Sequence, residues 1–530
     1  MPFEDRTIPM ARLLDDAERT ASLIGGRGRA GLIMANGEPW VRGLFACFRA
    51  RTAAVPIALP IAFGGVQSYL KHVRRIVDDA GIGTLLVDDS IRRLIPHLAK
   101  AMPPGVEVVD VTRPPDRPGP VEETGDDFAI IQYTSGSTSQ PKGVALTAGN
   151  VAAGLASITE GMRLRPDDCM GLWLPLFHDM GLFAMLSAFS KGNPVCLWPT
   201  TGFARRTRAW LESCAASPTT AIPMPNFAYD LIADSVEDGL PEGLDLSRLR
   251  LTFNGAEPVH KRTIDRFTRT FVPAGYRAEA MHPCYGMAEA TLLVAWPEVG
   301  AEPEALPVDR FRLGPGDKVE PVPESDAAAR SLVAHGGAAP GIELRIDAAG
   351  DGRVGEIQVR GPAVMGGYLN LPDDRQPFTG DGWLRTGDLG FLLDGRLYVT
   401  GRLKDMAIVN GRNYYAEDVE EIVRRASGAG VRRCAAMQVT EDAAERLAVL
   451  VETPLEGEAA AALAAELEHA VTAETGPGVA RVYPVEPRTI PHTTSGKVRR
   501  HAARELYAQV TNHAQVTNHA QVTDDGGTAR

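Results

Sequence analysis

The sequence predicts an α/β protein. A large N-terminal domain with mostly parallel sheets and a β-rich subdomain should precede a small α+β C-terminal domain. Three observations carry this expectation. The chain has 530 residues, beyond the size at which one hydrophobic core keeps growing, so at least two domains are expected. Over roughly the first 400 residues, short apolar runs alternate with helical stretches, the rhythm of βαβ units and parallel sheets. From Gly341 the pattern changes to short alternating strands separated by Gly/Asp turns.

In chain order, Ala30-Gly31-Leu32-Ile33-Met34, Thr84-Leu85-Leu86-Val87 and Pro194-Val195-Cys196-Leu197-Trp198 read as strands, with residues 69–79 an intervening helix. Phe128-Ala129-Ile130-Ile131 is a further apolar run and reads as a buried strand. Residues 341–359 read as short strands with a turn at Ala349-Gly350-Asp351-Gly352. Residues 383–399 continue the pattern, with Asp394-Gly395 as a hairpin turn. A boundary is expected near Gly401-Arg402-Leu403-Lys404-Asp405, dividing 1–402 from 403–506. Beyond it, 416–426 and 459–475 read as helices, and 434–439 and 447–451 as strands. The tail repeats a hexapeptide beginning at Ala508, Ala514 and Ala520. Three polar repeats are too few to build a solenoid, so 507–530 is expected to be disordered.

Bulk composition narrows the function. A net charge of −12 argues against broad nucleic-acid affinity, which needs a basic surface. No apolar run approaches the length that spans a bilayer, and the first residues lack a charged-then-apolar leader. The six cysteines are scattered without a C-x-x-C pair. A metal site or disulfide framework is therefore not expected, and a reducing cytoplasm fits.

The most informative stretch is Tyr133-Thr134-Ser135-Gly136-Ser137-Thr138-Ser139-Gln140-Pro141-Lys142-Gly143. Small and hydroxyl residues after a strand let the backbone bend tightly, so that N–H groups and hydroxyls converge on an anion, and Lys142 adds a mobile positive charge. This is chemistry for holding a polyphosphate, although the spacing is not that of a Walker A loop. Further motifs follow in order. They are Trp173-Leu174-Pro175-Leu176-Phe177-His178-Asp179-Met180-Gly181, Pro225-Asn226-Phe227-Ala228-Tyr229-Asp230, Asn254-Gly255-Ala256-Glu257-Pro258-Val259 and Cys284-Tyr285-Gly286-Met287-Ala288-Glu289-Ala290-Thr291. Then come Arg385-Thr386-Gly387-Asp388, Gly401-Arg402-Leu403-Lys404-Asp405 and Pro491-His492-Thr493-Thr494-Ser495-Gly496-Lys497.

This ordered set, covering residues from about 30 to 505, closely resembles the adenylate-forming superfamily of acyl-CoA synthetases, peptide-synthetase adenylation domains and luciferases. Several motif versions look most like its fatty-acyl-AMP ligase branch. The resemblance implies a large N-terminal domain, a small mobile C-terminal domain and an active site between them. It also implies the reaction: a carboxylate and ATP give acyl-AMP and pyrophosphate, and a thiol then captures the acyl group. The implied cofactors are ATP/AMP, Mg²⁺ and CoA. The implied partners are an apolar carboxylic acid and either CoA or an acyl carrier protein.

Roles carried over by the resemblance are these. Thr134, Ser135, Gly136, Ser137, Thr138 and Lys142 bind the β- and γ-phosphates. Asn254, Gly255, Ala256 and Glu257 line the adenine pocket, with Tyr285 stacking on the base beside Gly286 and Met287. Glu289, with Thr134, holds Mg²⁺, because a hard cation bridging phosphates takes carboxylate oxygen. Asp388 grips the ribose hydroxyls, and Arg402 contacts ribose or phosphate. Lys497 bridges the carboxylate and the α-phosphate. Lys404 is the hinge about which the small domain swings, and Gly411 opens the thiol channel. His178 gates the acyl pocket, which is expected to involve Asn226, Phe227 and the surroundings of Met281 and Met287. Taken alone, Glu289 reads as a solvated helix residue and Asp388 as a turn residue.

Two departures matter. Ala288 stands where many members place a threonine that touches the α-phosphate. The fatty-acyl-AMP ligase branch usually carries an extra segment before the Arg-Thr-Gly-Asp motif, yet only about 14 residues separate Tyr368 from Trp383. The missing segment favours delivery to CoA. Alternatives stay open: loading of a carrier protein, an enzyme of one half-reaction only, or a non-catalytic nucleotide binder on the same scaffold.

Overall fold

The computed structural model describes residues 6–24, 26–60, 65–134, 141–409, 412–427, 431, 433–441, 444–476, 478–492 and 497–511. Two sheets organise its first half. One runs in the order Glu107–Asp110, Ile82–Val87, Arg29–Ile33, Ala54–Pro56, Phe128–Thr134, Lys142–Thr147. Its first five strands are parallel, whereas the last pair is antiparallel. Thr134 and Lys142, which flank the hydroxyl-rich stretch, therefore lie directly opposite each other on adjacent antiparallel strands. The second sheet runs Met281–Pro283, Leu251–Gly255, Ala221–Pro225, Met170–Leu172, Val195–Leu197, all parallel.

The strands read as near-continuous apolar runs because both sheet faces are covered. Between the sheets lies one core containing Leu32, Ile130, Leu172, Phe183 and Leu251. Helix Asp179–Ser190 is buried from Met180 to Ala188, as a helix apolar on every side must be. Outside the first sheet pack Tyr69, Val73, Ile76 and Val77 from helix Val66–Ala80. Outside the second pack Trp210, Tyr229, Phe267 and Phe271.

The β-rich region is a four-stranded antiparallel meander, Glu343–Ile346, Gly355–Arg360, Leu384–Leu393 and Arg396–Arg402. Asp394 and Gly395 turn its last hairpin at φ 51° and 74°, the left-handed pair that Asp-Gly favours. Strand content begins earlier than the sequence pattern indicates. Ala305–Asp309 pairs antiparallel with Ala329–Val333, but both are half exposed and show no apolar alternation.

Beyond residue 405, ribbon Met406–Val409 with Arg412–Tyr415 leads into helix Ala416–Ser427. Strands Cys434–Glu441, Ala444–Glu452 and Ala480–Val485 then form a mixed sheet. Val419, Ile422, Val449, Leu467 and Val482 fill a core of their own, with Leu467 supplied by helix Gly457–Thr475. One expectation needs correction. Residues 507–511, assigned from the sequence to a disordered tail, continue a helix over 500–511. Leu506, Tyr507 and Val510 pack against Met437 and Leu450, and the Tyr507 ring meets Tyr483 edge-on at 5.3 Å. That apolar face docks the helix, which takes in residues 508–511 of the first repeat; residues 512–530 lie outside the described residues.

Candidate active site

Strand ends and the turns that follow them supply most of the predicted residues. Leu251–Gly255 delivers Asn254 and Gly255 at the C-terminal edge of the second sheet. A Cβ on Gly255 would meet the Cys284 carbonyl oxygen at 2.8 Å, so only glycine fits there. Ala256 follows in the left-handed region, φ 66°, a conformation that costs a non-glycine residue and is held by its surroundings. Glu257 Oε1 accepts from the Phe227 N–H at 2.6 Å, and burial raises its carboxyl pKa.

Asp388 is 8 % exposed and sits opposite Arg402 in the meander. Its Oδ2 accepts from the Tyr285 hydroxyl at 2.8 Å, and its Oδ1 lies 3.2 Å from Arg402 Nε. Asp388 in turn raises the Arg402 pKa above the ordinary value. A carboxylate oxygen has two lone pairs, so each oxygen keeps capacity for one ribose hydroxyl while its position is fixed from behind. The Tyr285 ring is buried and anchored through that hydroxyl.

Glu289 occupies the single turn Ala288–Ala290. Its Oε1 accepts from the Tyr368 hydroxyl at 2.6 Å, and burial raises its pKa. The next residue but one, Thr291, is fully buried at φ 64° and donates to the Ala363 carbonyl at 2.7 Å. A β-branched residue at positive φ is strained, and the Ala363 contact holds it there. Lys142 Nζ lies 4.7 Å from the centre of the Tyr368 ring. Among the described residues no lysine or arginine pairs with the Glu289 carboxylate, and a buried, unpaired carboxylate fits a hard divalent cation. Thr134 ends its strand half-buried on the opposite side of the hairpin from Lys142.

Lys497, from the far end of the chain, lies within electrostatic reach of Arg402, Asp179, Asp388 and Glu257. Its side chain reaches solvent, yet crowding by protein, together with the charge of Arg402, lowers its pKa below that of an ordinary lysine. Lys404 lies in the turn Leu403–Asp405, where desolvation and Arg402 lower its pKa as well. His178 precedes the buried helix, its ring tilted against Phe177 at 4.5 Å. Ser135, Gly136, Ser137, Thr138 and Gly411 lie outside the described residues.

Beside this cleft opens an apolar pocket lined by Ile158, Met162, Met180, Ala184, Phe253 and Trp296, with Asp179, Ala256, Tyr285 and Gly286 also in its wall. Its lining includes Cys284, Tyr285 and Gly286, between Met281 and Met287 as expected, but neither Asn226 nor Phe227. Asn226 is buried in a polar network, accepting from the Asn254 amide at 3.3 Å and the His260 N–H at 3.1 Å. Met281 is core, Met287 packs against core, and Phe227 is 46 % exposed. Met180 belongs to the Trp173–Gly181 motif, whereas Ile158, Met162, Ala184, Phe253 and Trp296 come from separate elements and no local motif marks them. Tyr368 and Asp179 also went unassigned, although Tyr368 follows the visible signal Gly366-Gly367.

The AMP-binding enzyme family matches residues 3–369. A chain of Mycobacterium tuberculosis assigned as fatty-acid–CoA ligase FadD21 is 32% identical over 518 residues, covering 90% of this chain and 87% of that relative. The long-chain-fatty-acid–AMP ligase FadD28 of Mycobacterium bovis is 31% identical, covering 95% and 91%. Among solved structures, one from a study of fatty acyl-adenylate ligases of E. coli and L. pneumophila superposes with a TM-score of 0.86 at 29% identity, over 97% of this chain and 94% of that one. The L. pneumophila enzyme in complex with acyl adenylate and pyrophosphate gives 0.69 at 29% identity, over 95% and 91%. With these matches spanning nearly its whole length, the chain belongs to the AMP-binding, adenylate-forming enzyme family.

Proposed function

We propose that this protein activates a bulky or long apolar carboxylic acid as acyl-AMP at the expense of ATP, then transfers the acyl group to the thiol of CoA. The observation that carries the reading is spatial. Lys142, Glu289, Asp388, Arg402 and Lys497, spread over more than 350 residues of chain, surround one cleft that opens onto an apolar pocket.

In the first step a carboxylate oxygen attacks the α-phosphorus and pyrophosphate leaves. Lys142 and the hydroxyl-rich hairpin connection hold the β- and γ-phosphates. Asp388, braced by Tyr285 and Arg402, fixes the ribose, so that the α-phosphate is presented in one orientation. Lys497 places a positive charge where negative charge builds, worth on the order of 10²–10³ in rate for a preorganised group. Magnesium, held by Glu289 with Thr134, would screen phosphate charge. In the second step a thiolate attacks the acyl carbonyl and AMP leaves. For this, residues 403–506 swing about Lys404 and withdraw Lys497, with Gly411 at the thiol channel.

CoA is favoured as acceptor by the short connection of about 14 residues between Tyr368 and Trp383. Carrier-protein loading is the second reading, because curated relatives are named AMP ligases. A reducing cytoplasm suits the free cysteines. Among the described residues no helix is long and apolar enough to cross a membrane.

Pyrophosphate exchange into ATP, measured across a panel of acids, is the direct test. Exchange should appear with apolar acids, and CoA should discharge the adenylate. Lys497→Ala should abolish exchange while leaving thioester formation from supplied acyl-AMP largely intact; equal loss of both steps would refute the assignment.

A further inference from the structure

Tyr368 stands between two groups of the nucleotide cleft without belonging to any motif that predicts it. Its hydroxyl donates to Glu289 Oε1 at 2.6 Å, and Lys142 Nζ lies 4.7 Å from its ring centre. One side chain thus touches the carboxylate suited to a divalent cation and the lysine suited to the terminal phosphates.

The backbone around Tyr368 is tied on two sides. Toward the polyphosphate hairpin, Tyr368 bridges Val144 in antiparallel fashion, and the Leu369 N–H donates to the Gly143 carbonyl at 2.8 Å. Toward the following loop, Gln376 acts as a clamp. Its Oε1 accepts from the Tyr368 N–H at 2.8 Å, and its Nε2 donates to the Tyr368 carbonyl at 2.9 Å. The same Nε2 reaches the Leu371 carbonyl at 2.8 Å. The clamp fits because residue 367 is glycine: a Cβ there would meet the Gln376 amide at 3.0 Å. A half-buried side chain that only filled space would need neither a charge-assisted hydrogen bond nor a two-point backbone clamp.

We infer that Tyr368 is a positioning residue for magnesium-bound ATP. Its hydroxyl orients the Glu289 carboxylate toward the cation, its ring face fixes the Lys142 ammonium on the phosphate side, and Gln376 holds it in that pose. A ligating carboxylate is commonly oriented by a hydrogen-bonded neighbour, and loss of such a neighbour costs about 10–100-fold in affinity. An ammonium over an aromatic face gains a smaller, metal-independent stabilisation. The inference rests on the ATP reading above, and its two contacts predict separable effects.

The experiment measures ATP binding by calorimetry to the full chain, without acid, in Mg²⁺ and in EDTA. Tyr368→Phe keeps the ring and the backbone bridge. It should weaken ATP binding about tenfold in Mg²⁺ and by less than about twofold in EDTA, with cooperative unfolding retained. Tyr368→Leu removes the ring too and should add a loss of about fivefold that persists in EDTA, because Lys142 loses its platform. Gln376→Met loosens the clamp but spares the hydroxyl, and should shift Mg²⁺-dependent binding in the same direction by a smaller factor. The inference is overturned if Tyr368→Phe binds like the parent in Mg²⁺, or if its loss is equal with and without Mg²⁺, the mark of a merely structural role. A parent protein that binds no ATP in Mg²⁺ would overturn the ATP reading itself.

Discussion

In the adenylation step proposed above, Lys497 acts as a cation in surroundings that disfavour one. Crowding by protein comes first, and the charge of Arg402 adds to it, so its pKa lies below the usual lysine value despite Asp179, Asp388 and Glu257. The protonated form is the active one, so adenylation should fall as pH rises through that lowered pKa. The alkaline limb of kcat/KM for ATP–pyrophosphate exchange should therefore lie below pH 10.5, the ordinary lysine value. An arginine stays charged throughout this range. Lys497→Arg should retain reduced exchange but lose the alkaline limb, and a limb that persists unchanged would assign it to another group. A second residue tests the pocket. Ala184 is 4% exposed and lines it, so Ala184→Phe should push a ring into the space meant for the acid. Exchange with long-chain acids should drop about tenfold or more, the loss of roughly two buried methylenes at about 0.8 kcal/mol each, while short acids and ATP affinity hold.

The turn joining Tyr285–Gly286 to Leu293–Trp296 carries Glu289, and its geometry is enforced locally. A Cβ on Gly286 would lie 1.9 Å from the Leu292 carbonyl oxygen, which is backbone and cannot step aside. Gly286→Ala should destabilise the protein by about 2 kcal/mol or more, read as a lower denaturant midpoint, and should remove exchange activity with it. The same turn shows what the sequence makes legible. Tyr285, Gly286 and Glu289 stand in one contiguous motif, and so does each strand that both sheets bury on two faces. The strained φ of Thr291 has no local signal, because it is imposed by Ala363 and Gly154, distant in sequence. The pocket is invisible for a similar reason: Ile158, Ala184, Phe253 and Trp296 look like ordinary core residues until the elements bearing them converge. Asn226 misled in the opposite way. It sits in a recognisable motif, yet its amide joins a buried network with Asn254 and Thr263. The helix over 500–511 was hidden by the repeat that begins inside it, although Ala503, Leu506, Tyr507 and Val510 already follow helical spacing.

Lys497 reaches the cleft only because residues beyond 402 lie against those before it, and among the described residues three arginine–carboxylate ion pairs span that division. Arg262 meets Glu421 at 2.7 Å, Arg330 meets Asp418 at 2.7 Å, and Arg310 meets Glu474 at 3.0 Å. Arg330 also lies 5.1 Å from the centre of the Tyr415 ring. Salt bridges at partly exposed positions are worth up to about 1 kcal/mol each. A contact of that size holds a pose without locking it, which suits the domain swing proposed above. Reversing one charge should therefore bias the two half-reactions in different directions. Glu421→Arg faces Arg262 and should lower pyrophosphate exchange about fivefold, since 1 kcal/mol corresponds to about that factor. Thioester formation from supplied acyl-AMP does not need Lys497 in the cleft and should hold or rise. Adding Arg262→Glu restores an opposite-charge pair and should recover most of the exchange, a coupling that a double-mutant cycle isolates. Salt should reproduce the single variant's effect in the parent protein, because screening weakens exposed pairs. If Glu421→Arg instead lowered both half-reactions equally and Arg262→Glu did not rescue it, these pairs would be bystanders, and apolar contact alone would set the pose that brings Lys497 to the nucleotide.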